Sequence, residues 1–147
     1  MHHLNINLDA KPVKQQQLRF CIIEAIQLEV MKLIDSSFIR EEQHPDWVSN
    51  IVSVTKKNGK IRLCIDFHNL NEACPKDEFP LPITDVMIDN TCAFERMSFM
   101  DRFSRYNQIK MYPDNEKHTS FRIPLGVYCY TVMPFGLKNA GATYRKL

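Results

Sequence analysis

Residues 51–67 read IVSVTKKNGKIRLCIDF, and this stretch decides the local fold. A run rich in β-branched residues leads into Asn58-Gly59, and an alternating run follows from Ile61. Asn-Gly is the strongest short hairpin signal, because both central positions of a two-residue turn need positive φ. The stretch therefore predicts an antiparallel hairpin. Its predicted pairs are Lys57 with Lys60, Thr55 with Arg62, and Val54 with Leu63.

That register sorts the side chains of the hairpin onto two faces. The apolar face is predicted to carry Val52, Val54, Ile61, Leu63 and Ile65, and the polar face Lys57, Lys60, Thr55 and Arg62. The cations have two interpretations. Antiparallel sheets commonly have one solvated outer face, whereas lysines and a planar arginine at a hairpin tip can also bind a polyphosphate. The pattern alone leaves both open.

The chain before the hairpin divides into two parts. Residues 1–20 are polar and mixed, which is typical of a linker or an N-terminal arm. Residues 22–35 repeat at a helical period, which predicts a helix that ends at Asp35-Ser36-Ser37. The predicted apolar stripe consists of Ile23, Ile26, Val30 and Leu33.

The chain after the hairpin contains an aspartate in a notable position. Thr84 is predicted to cap a short helix through Asn90. Residues 96–112 indicate strand, turn and strand, with Met97, Phe99 and Asp101 on one face of the first strand. An aspartate at a strand end is often a turn former, but this is also where a rigid, reachable catalytic carboxylate is placed. The pattern leaves these two alternatives open.

The last third of the chain predicts a second hairpin and a helix. Residues 119–133 close around Pro124-Leu125-Gly126, and residues 133–141 form a glycine-containing loop that leads into a helix. Leu147 falls inside that helix, so we expect a truncated domain. Helices together with antiparallel hairpins predict an α+β fold.

Composition narrows the class of protein. The chain has 147 residues, five cysteines and a net charge of +2, and no cysteine pair has CxxC spacing. A disulfide framework and a zinc site are therefore not predicted, and His2-His3 has no ligand at metal-site spacing. Free thiols fit a reducing compartment. No secretory signal or membrane span is predicted, so we expect an intracellular, cytoplasmic or nuclear protein that is not secreted.

Several segments, taken in order, match one family. They are WVSNIV (47–52), KKNGK (56–60), RLCIDFHNLN (62–71), FPLP (79–82), SFMD (98–101), SRYNQI (104–109) and MPFGLKNA (133–140). This series resembles the reverse transcriptase of gypsy-type LTR retrotransposons, especially those of plants. The resemblance runs from about residue 4 to the end of the chain.

The resemblance implies a right-hand polymerase truncated in the palm. Residues 1–20 would be a linker or arm, and 21–147 a partial reverse transcriptase domain. The fingers would comprise about residues 21–75 and 110–139, and the palm about 76–109 and 140–147. The parent enzyme would use RNA or DNA template–primer and dNTP within a Pol polyprotein. It would carry out RNA-directed DNA synthesis with two magnesium ions.

The resemblance also assigns roles to individual residues. Asp101 matches the first metal-binding, catalytic carboxylate, and the Arg102 carbonyl would lie beside the same Mg²⁺. The nucleotide-binding positions are Lys60, Arg62, Arg105, Tyr106, Phe135 and Gly136, with Lys57 as a further match. Tyr106 would reject a ribose 2′-hydroxyl, and Lys138 would touch template phosphates. These roles favour the phosphate-binding interpretation of the hairpin.

Two departures from the family pattern stand out. The sequence contains no aromatic-x-Asp-Asp motif, which supplies the other metal-binding carboxylates in the family. Arg105 stands where the family usually has a small residue, often glycine. Three functions follow as alternatives: a catalytically incomplete polymerase fragment, an active enzyme completed by further chain or a partner, and a nucleic-acid-binding module without catalysis. We also expect Met97, Phe99 and Ile109 to be exposed, and the product to be prone to aggregation.

Overall fold

Helices and antiparallel strands make up the regular structure, in agreement with the α+β prediction. The computed structural model describes residues 1–20, 22–80, 82–98 and 105–146. The helices are α1 (Ile23–Asp35), α2 (His68–Ala73), α3 (Thr84–Thr91), α4 (Pro113–Glu116) and α5 (Ala140–Arg145), with 3₁₀ helices at Arg105–Gln108 and Lys117–Thr119. The strands are β1 (Ile39–Glu41), β2 (Ile51–Thr55), β3 (Ile61–Ile65), β4 (Phe121–Ile123) and β5 (Gly126–Tyr130).

The strands form two antiparallel sheets. One has the order β1-β5-β4, and the other is the hairpin β2-β3. Ser49 joins them, because its N–H donates to the Ser120 carbonyl at 2.9 Å and its own carbonyl accepts from the Arg122 N–H at 3.1 Å. The hairpin therefore stands beside β4, at one edge of the three-stranded sheet.

The predicted hairpin is present, but its predicted register is wrong by one residue. The observed pairs are Ile51 with Ile65, Val52 with Cys64, Ser53 with Leu63, Val54 with Arg62, and Thr55 with Ile61. The loop has three residues, since the Lys56 N–H donates to the Lys60 carbonyl at 2.8 Å and the Gly59 N–H to the Lys56 carbonyl at 2.9 Å. Only Gly59 in this loop has positive φ, at 76°, whereas a tight two-residue turn needs two such residues.

The corrected register changes which residues share a face. Val52 and Val54 lie on the outer face with Arg62, and both are exposed. Thr55 moves to the inner face, which packs against the core through Leu63 and Ile65. Alternation places Lys56 and Lys60 on the outer face with Arg62, while Lys57 lies in the turn. The hairpin tip therefore carries a cationic face, defined as Lys56, Lys60 and Arg62.

Helix α1 confirms most of its prediction. Ile26 and Val30 are buried in the core, and Leu33 is partly buried against it. Ile23 is exposed, so its assignment to the apolar stripe is wrong. The helix ends at Asp35 as predicted, and Ser37 with φ 57° turns the chain toward β1.

The core contains residues of α1, of α2, of the three-stranded sheet and of the hairpin. Its most fully buried apolar residues include Val30, Phe67, Leu70, Met111, Phe121, Cys129 and Met133. Leu137 and Ala140 add the start of α5 to this core. The loop before α5 is therefore fixed on its inner side by apolar packing.

Residues 1–20 run along the domain as a packed arm. Gln15 pairs with Val48 through backbone hydrogen bonding at 2.9 Å, and the Asn7 N–H donates to the Ala73 carbonyl at 2.9 Å. His2 is 1% exposed, and its Nδ1 lies 2.7 Å from Thr143 Oγ1 in α5. Burial lowers the pKa of His2 to about 4, so this contact is made by a neutral imidazole.

The remaining predictions from sequence have mixed outcomes. The second hairpin is confirmed, with Ile123 paired to Gly126 across Pro124-Leu125, and α5 follows the loop as predicted. The predicted short helix is confirmed as α3, but Thr84 is its first residue and makes no side-chain cap, so the predicted capping role is wrong.

The segment 96–112 also differs from its prediction. Residues 96–98 are not a strand, and Lys110 and Met111 form only isolated bridges. Ile109 is buried, not exposed, whereas Met97 is exposed as predicted. Phe99 lies outside the described residues.

Two further observations concern the whole described part of the chain. The cysteines that it includes, Cys64, Cys74, Cys92 and Cys129, are free thiols. Among the described residues, no helix has the length and apolarity that crossing a bilayer requires.

Candidate nucleotide-binding site

Three of the predicted site residues meet in one place. The rings of Tyr106 and Phe135 lie with centroids 4.9 Å apart at an interplanar angle of 56°. Gly136 follows Phe135 directly in the loop before α5. Asp101 and Arg102, the predicted catalytic and metal-binding residues, lie outside the described residues, so their assignment stays a prediction.

A third aromatic residue, Tyr144, completes this cluster. Its ring meets that of Tyr106 edge-on, with centroids 5.3 Å apart and an interplanar angle of 84°. Edge-to-face packing favours a fixed ring orientation. Tyr144 was not predicted as a site residue, although it lies four residues after the buried Ala140 and therefore on the same face of α5.

Gly136 occupies a position that favours glycine. Its φ is 95°, which side chains with a Cβ rarely adopt. A Cβ added there would lie 3.5 Å from the Phe67 ring and 3.6 Å from the Ile65 carbonyl oxygen. The loop therefore passes close to the end of β3, and β3 connects it to the cationic face through Arg62.

The cationic face is exposed at the outer end of the hairpin. Lys56, Lys60 and Arg62 are all solvent-exposed, and Val52 and Val54 lie beside them on the same face. Exposed cations next to apolar side chains suit a ligand with both phosphates and a flat apolar part. The binding role of these residues stays a prediction.

Lys138 has internal partners. Its ammonium donates to the Cys74 carbonyl at 2.8 Å and to the Asn71 carbonyl at 3.2 Å, both at the C-terminal end of α2. A template phosphate contact would cost these two hydrogen bonds. The predicted template role of Lys138 therefore competes with a structural one.

Arg105 has an unusual backbone conformation. Its φ is 29°, in the left-handed region, at the first residue of the 3₁₀ helix Arg105–Gln108. This conformation costs a residue with a Cβ about 1–2 kcal/mol. It gives a physical reason for the small residue that the family usually has at this position.

We expect the free energy of unfolding of Arg105→Gly to exceed that of Arg105→Ala by about 0.5–1 kcal/mol, because both lose the contacts of the arginine side chain and only glycine relieves the left-handed strain. Arg105→Ala is the matched control, since it removes the side chain but keeps the Cβ. Urea denaturation followed by circular dichroism measures both. Equal free energies of unfolding in the two variants would show that the backbone conformation of residue 105 carries no such cost.

No metal site is visible in the described part of the chain. Across residues 1–20, 22–80, 82–98 and 105–146, no three histidine, cysteine, aspartate or glutamate side chains are grouped so that they could hold an ion. Asp101 falls in the gap between the last two ranges. The oxygen donors of Asp101 and Arg102 are of the type that Mg²⁺ prefers.

Comparison with known proteins identifies the class to which this fold and site belong. The family profile described as "Reverse transcriptase (RNA-dependent DNA polymerase)" matches residues 54–147, and the chain belongs to that family. A foamy viral protease–reverse transcriptase, solved in complex with double-stranded DNA, has the same fold over 99% of this chain and 25% of its own, with a TM-score of 0.73 and 17% identity.

The relatives in sequence include Pol polyproteins of transposons. The chain is 32% identical over 131 residues to the Retrovirus-related Pol polyprotein from transposon 412 of Drosophila melanogaster, covering 85% of this chain and 10% of that protein. It is 28% identical over 151 residues to the polyprotein from transposon 297 of the same organism, covering 99% and 14%. The chain thus spans about a tenth to a seventh of these relatives.

Proposed function

We propose that this chain binds a deoxynucleoside triphosphate and a template–primer as the front part of a reverse transcriptase from a gypsy-type, plant-like LTR retrotransposon. The observation that carries the proposal is the Tyr106–Phe135 pair beside the positive-φ Gly136. The pair provides an aromatic surface next to a backbone that a ligand can approach closely, because glycine has no Cβ. The free thiols support a reducing, intracellular place of action.

The residues of this site would contact different parts of the nucleotide. Lys60 and Arg62 would hold the phosphates by charge-assisted hydrogen bonds, and Lys56 lies on the same face to assist them. Tyr106 would lie against the sugar and exclude a 2′-hydroxyl. Phe135 would lie against the base or sugar, where its exposed ring offers apolar contact.

Asp101 would be a magnesium ligand at this site. Its carboxylate and the Arg102 carbonyl would hold one ion, and two such ions supply the charge stabilisation that phosphoryl transfer needs. The sequence contains no Asp-Asp pair to provide the other carboxylates of the family. We therefore propose that catalysis depends on carboxylates contributed from outside these 147 residues.

Primer extension on an RNA template with Mg²⁺ tests the catalytic part of the proposal. For the 147-residue chain we expect incorporation no greater than that of Asp101→Asn, together with measurable binding of the template–primer. Incorporation that Asp101→Asn abolishes would contradict the dependence on outside carboxylates, while supporting the polymerase function. Absence of binding to both the nucleotide and the template–primer would contradict the function itself.

A second candidate, nucleic-acid binding without catalysis, is favoured by the exposed cationic face. Binding through a few phosphates would weaken with salt, with a log–log slope of roughly −0.9 per phosphate neutralised on duplex DNA. The two candidates differ in their response to free nucleotide. Only the polymerase-derived pocket predicts competition by a deoxynucleoside triphosphate at the Tyr106–Phe135 pair.

A further inference from the structure

The loop that carries Phe135 is joined to α2 by an unusual set of side-chain hydrogen bonds. The Asn71 side-chain amide donates to the Gly136 carbonyl at 2.8 Å through Nδ2. Its Oδ1 accepts from the Lys138 backbone N–H at 2.8 Å. One amide thereby satisfies the backbone groups on both sides of Leu137, using its donor and its acceptor together.

The side chain of Lys138 in turn binds backbone carbonyls at the end of α2. Its ammonium donates to the carbonyl of Asn71 in α2 and to the carbonyl of Cys74, the C-cap residue, while the Asn71 carbonyl also accepts from the Cys74 N–H. A cation at the C-terminal end of a helix is favourable. The Asn71 side chain therefore binds the Lys138 backbone N–H, and the Lys138 side chain binds the Asn71 backbone carbonyl.

The Asn139 side chain makes two hydrogen bonds to the backbone of the segment after α2. Its Nδ2 donates to the Pro75 carbonyl at 2.9 Å, and its Oδ1 accepts from the Asp77 N–H at 2.9 Å. Lys146, the C-cap residue directly after α5, adds a 2.6 Å ion pair with the Asp77 carboxylate and lowers the pKa of that group. The segment 71–77 is thus bound to both the loop and the helix that follows it.

These contacts affect the position of Phe135, because its exposed side chain does little to fix that position. The Phe135 side chain is 58% exposed, so its place beside Tyr106 depends on the backbone around it. That backbone includes Gly136 at φ 95° and is anchored by buried Leu137 on the inner side. Asn71 supplies the corresponding anchor on the outer side.

We propose that Asn71 and Lys138, supported by Asn139, form a latch that positions Phe135 against Tyr106 for nucleotide binding; this rests on the proposed function of that pair. In this assignment Asn71 and Lys138 are positioning residues, since they act through the loop and not on the ligand. Asn71 needs both a donor and an acceptor. Asn71→Asp keeps only the acceptor and places a carboxylate against the Gly136 carbonyl.

The test compares Asn71→Ala and Asn71→Asp with Asn69→Ala in isotopically labelled 147-residue protein. Asn69 is a matched control, because it lies on α2 and its Oδ1 accepts one bond from Gln15 at 2.9 Å, away from the loop. The readouts are amide exchange at Lys138, the nuclear Overhauser contact between the Tyr106 and Phe135 rings, and the affinity for dTTP with Mg²⁺.

We expect both Asn71 variants to accelerate Lys138 amide exchange on the order of tenfold, to weaken the ring contact and to lower dTTP affinity, with the control unchanged. An unchanged Tyr106–Phe135 contact in Asn71→Ala would overturn the latch. Wild-type protein that binds no dTTP would instead count against the proposed function, because exchange and the ring contact report on the latch without a ligand.

Discussion

We expect Phe121→Ala to lower the free energy of unfolding by about 3–5 kcal/mol, the usual cost of emptying a phenylalanine site in a well-packed core. Phe121 is 1% exposed, and its ring centroid lies 5.3 Å from that of Tyr130. Its strand β4 also bridges to Ser49 before the hairpin. Because a domain of this kind has about 5–15 kcal/mol of stability in total, the loss is a large share of it.

Phe135→Ala provides the matched comparison, since the same atoms are removed from a side chain that is 58% exposed. We expect its unfolding free energy to change by less than about 0.5 kcal/mol, because it fills no core site. Its effect should appear instead as weaker nucleotide binding. Urea denaturation measures the stability of both variants. Equal destabilisation by the two changes would show that Phe135 is a core residue and not part of an open site.

The double change Lys60→Ala with Arg62→Ala should weaken dTTP affinity on the order of a hundredfold, because two charge-assisted hydrogen bonds to phosphate are removed. Both residues are exposed, so the fold should remain intact. Isothermal titration with dTTP and Mg²⁺ measures the affinity.

The control for this variant is Lys11→Ala with Lys14→Ala, which removes the same charge from exposed positions in the N-terminal arm. Equal weakening of dTTP binding by the control would show that the effect comes from net charge alone. The observed register adds a finer comparison. Lys56→Ala should weaken binding more than Lys57→Ala, because Lys56 shares the face of Arg62 while Lys57 lies in the turn.

The hairpin shows how far sequence patterns reach. Asn58-Gly59 located the turn, because that dipeptide carries strong local conformational preferences. It did not determine whether the loop has two or three residues, and this choice moves every side chain to the opposite face of its strand relative to its partners. Val52 and Val54 were therefore assigned to the core and are in fact exposed beside Arg62.

The site shows the same division between local and long-range information. Tyr106 and Phe135 were each identified through the family motifs, and the structure places their rings together. The latch was missed, because Asn71 and Lys138 are 67 positions apart and no local pattern relates them. Similarly, the positive φ of Arg105 comes from the tertiary fold, since arginine has no intrinsic preference for it. The metal-binding role of Asp101 and the division into fingers and palm stay predictions.

We propose that the cationic face and the Tyr106–Phe135 pair form one nucleotide-binding surface, and titration of dTTP with Mg²⁺ into isotopically labelled 147-residue protein tests this. We expect saturable amide shifts at Lys60, Arg62, Phe135 and Gly136 with a single dissociation constant. Shifts that do not saturate, or that leave Phe135 and Gly136 unmoved while the hairpin responds, would contradict it.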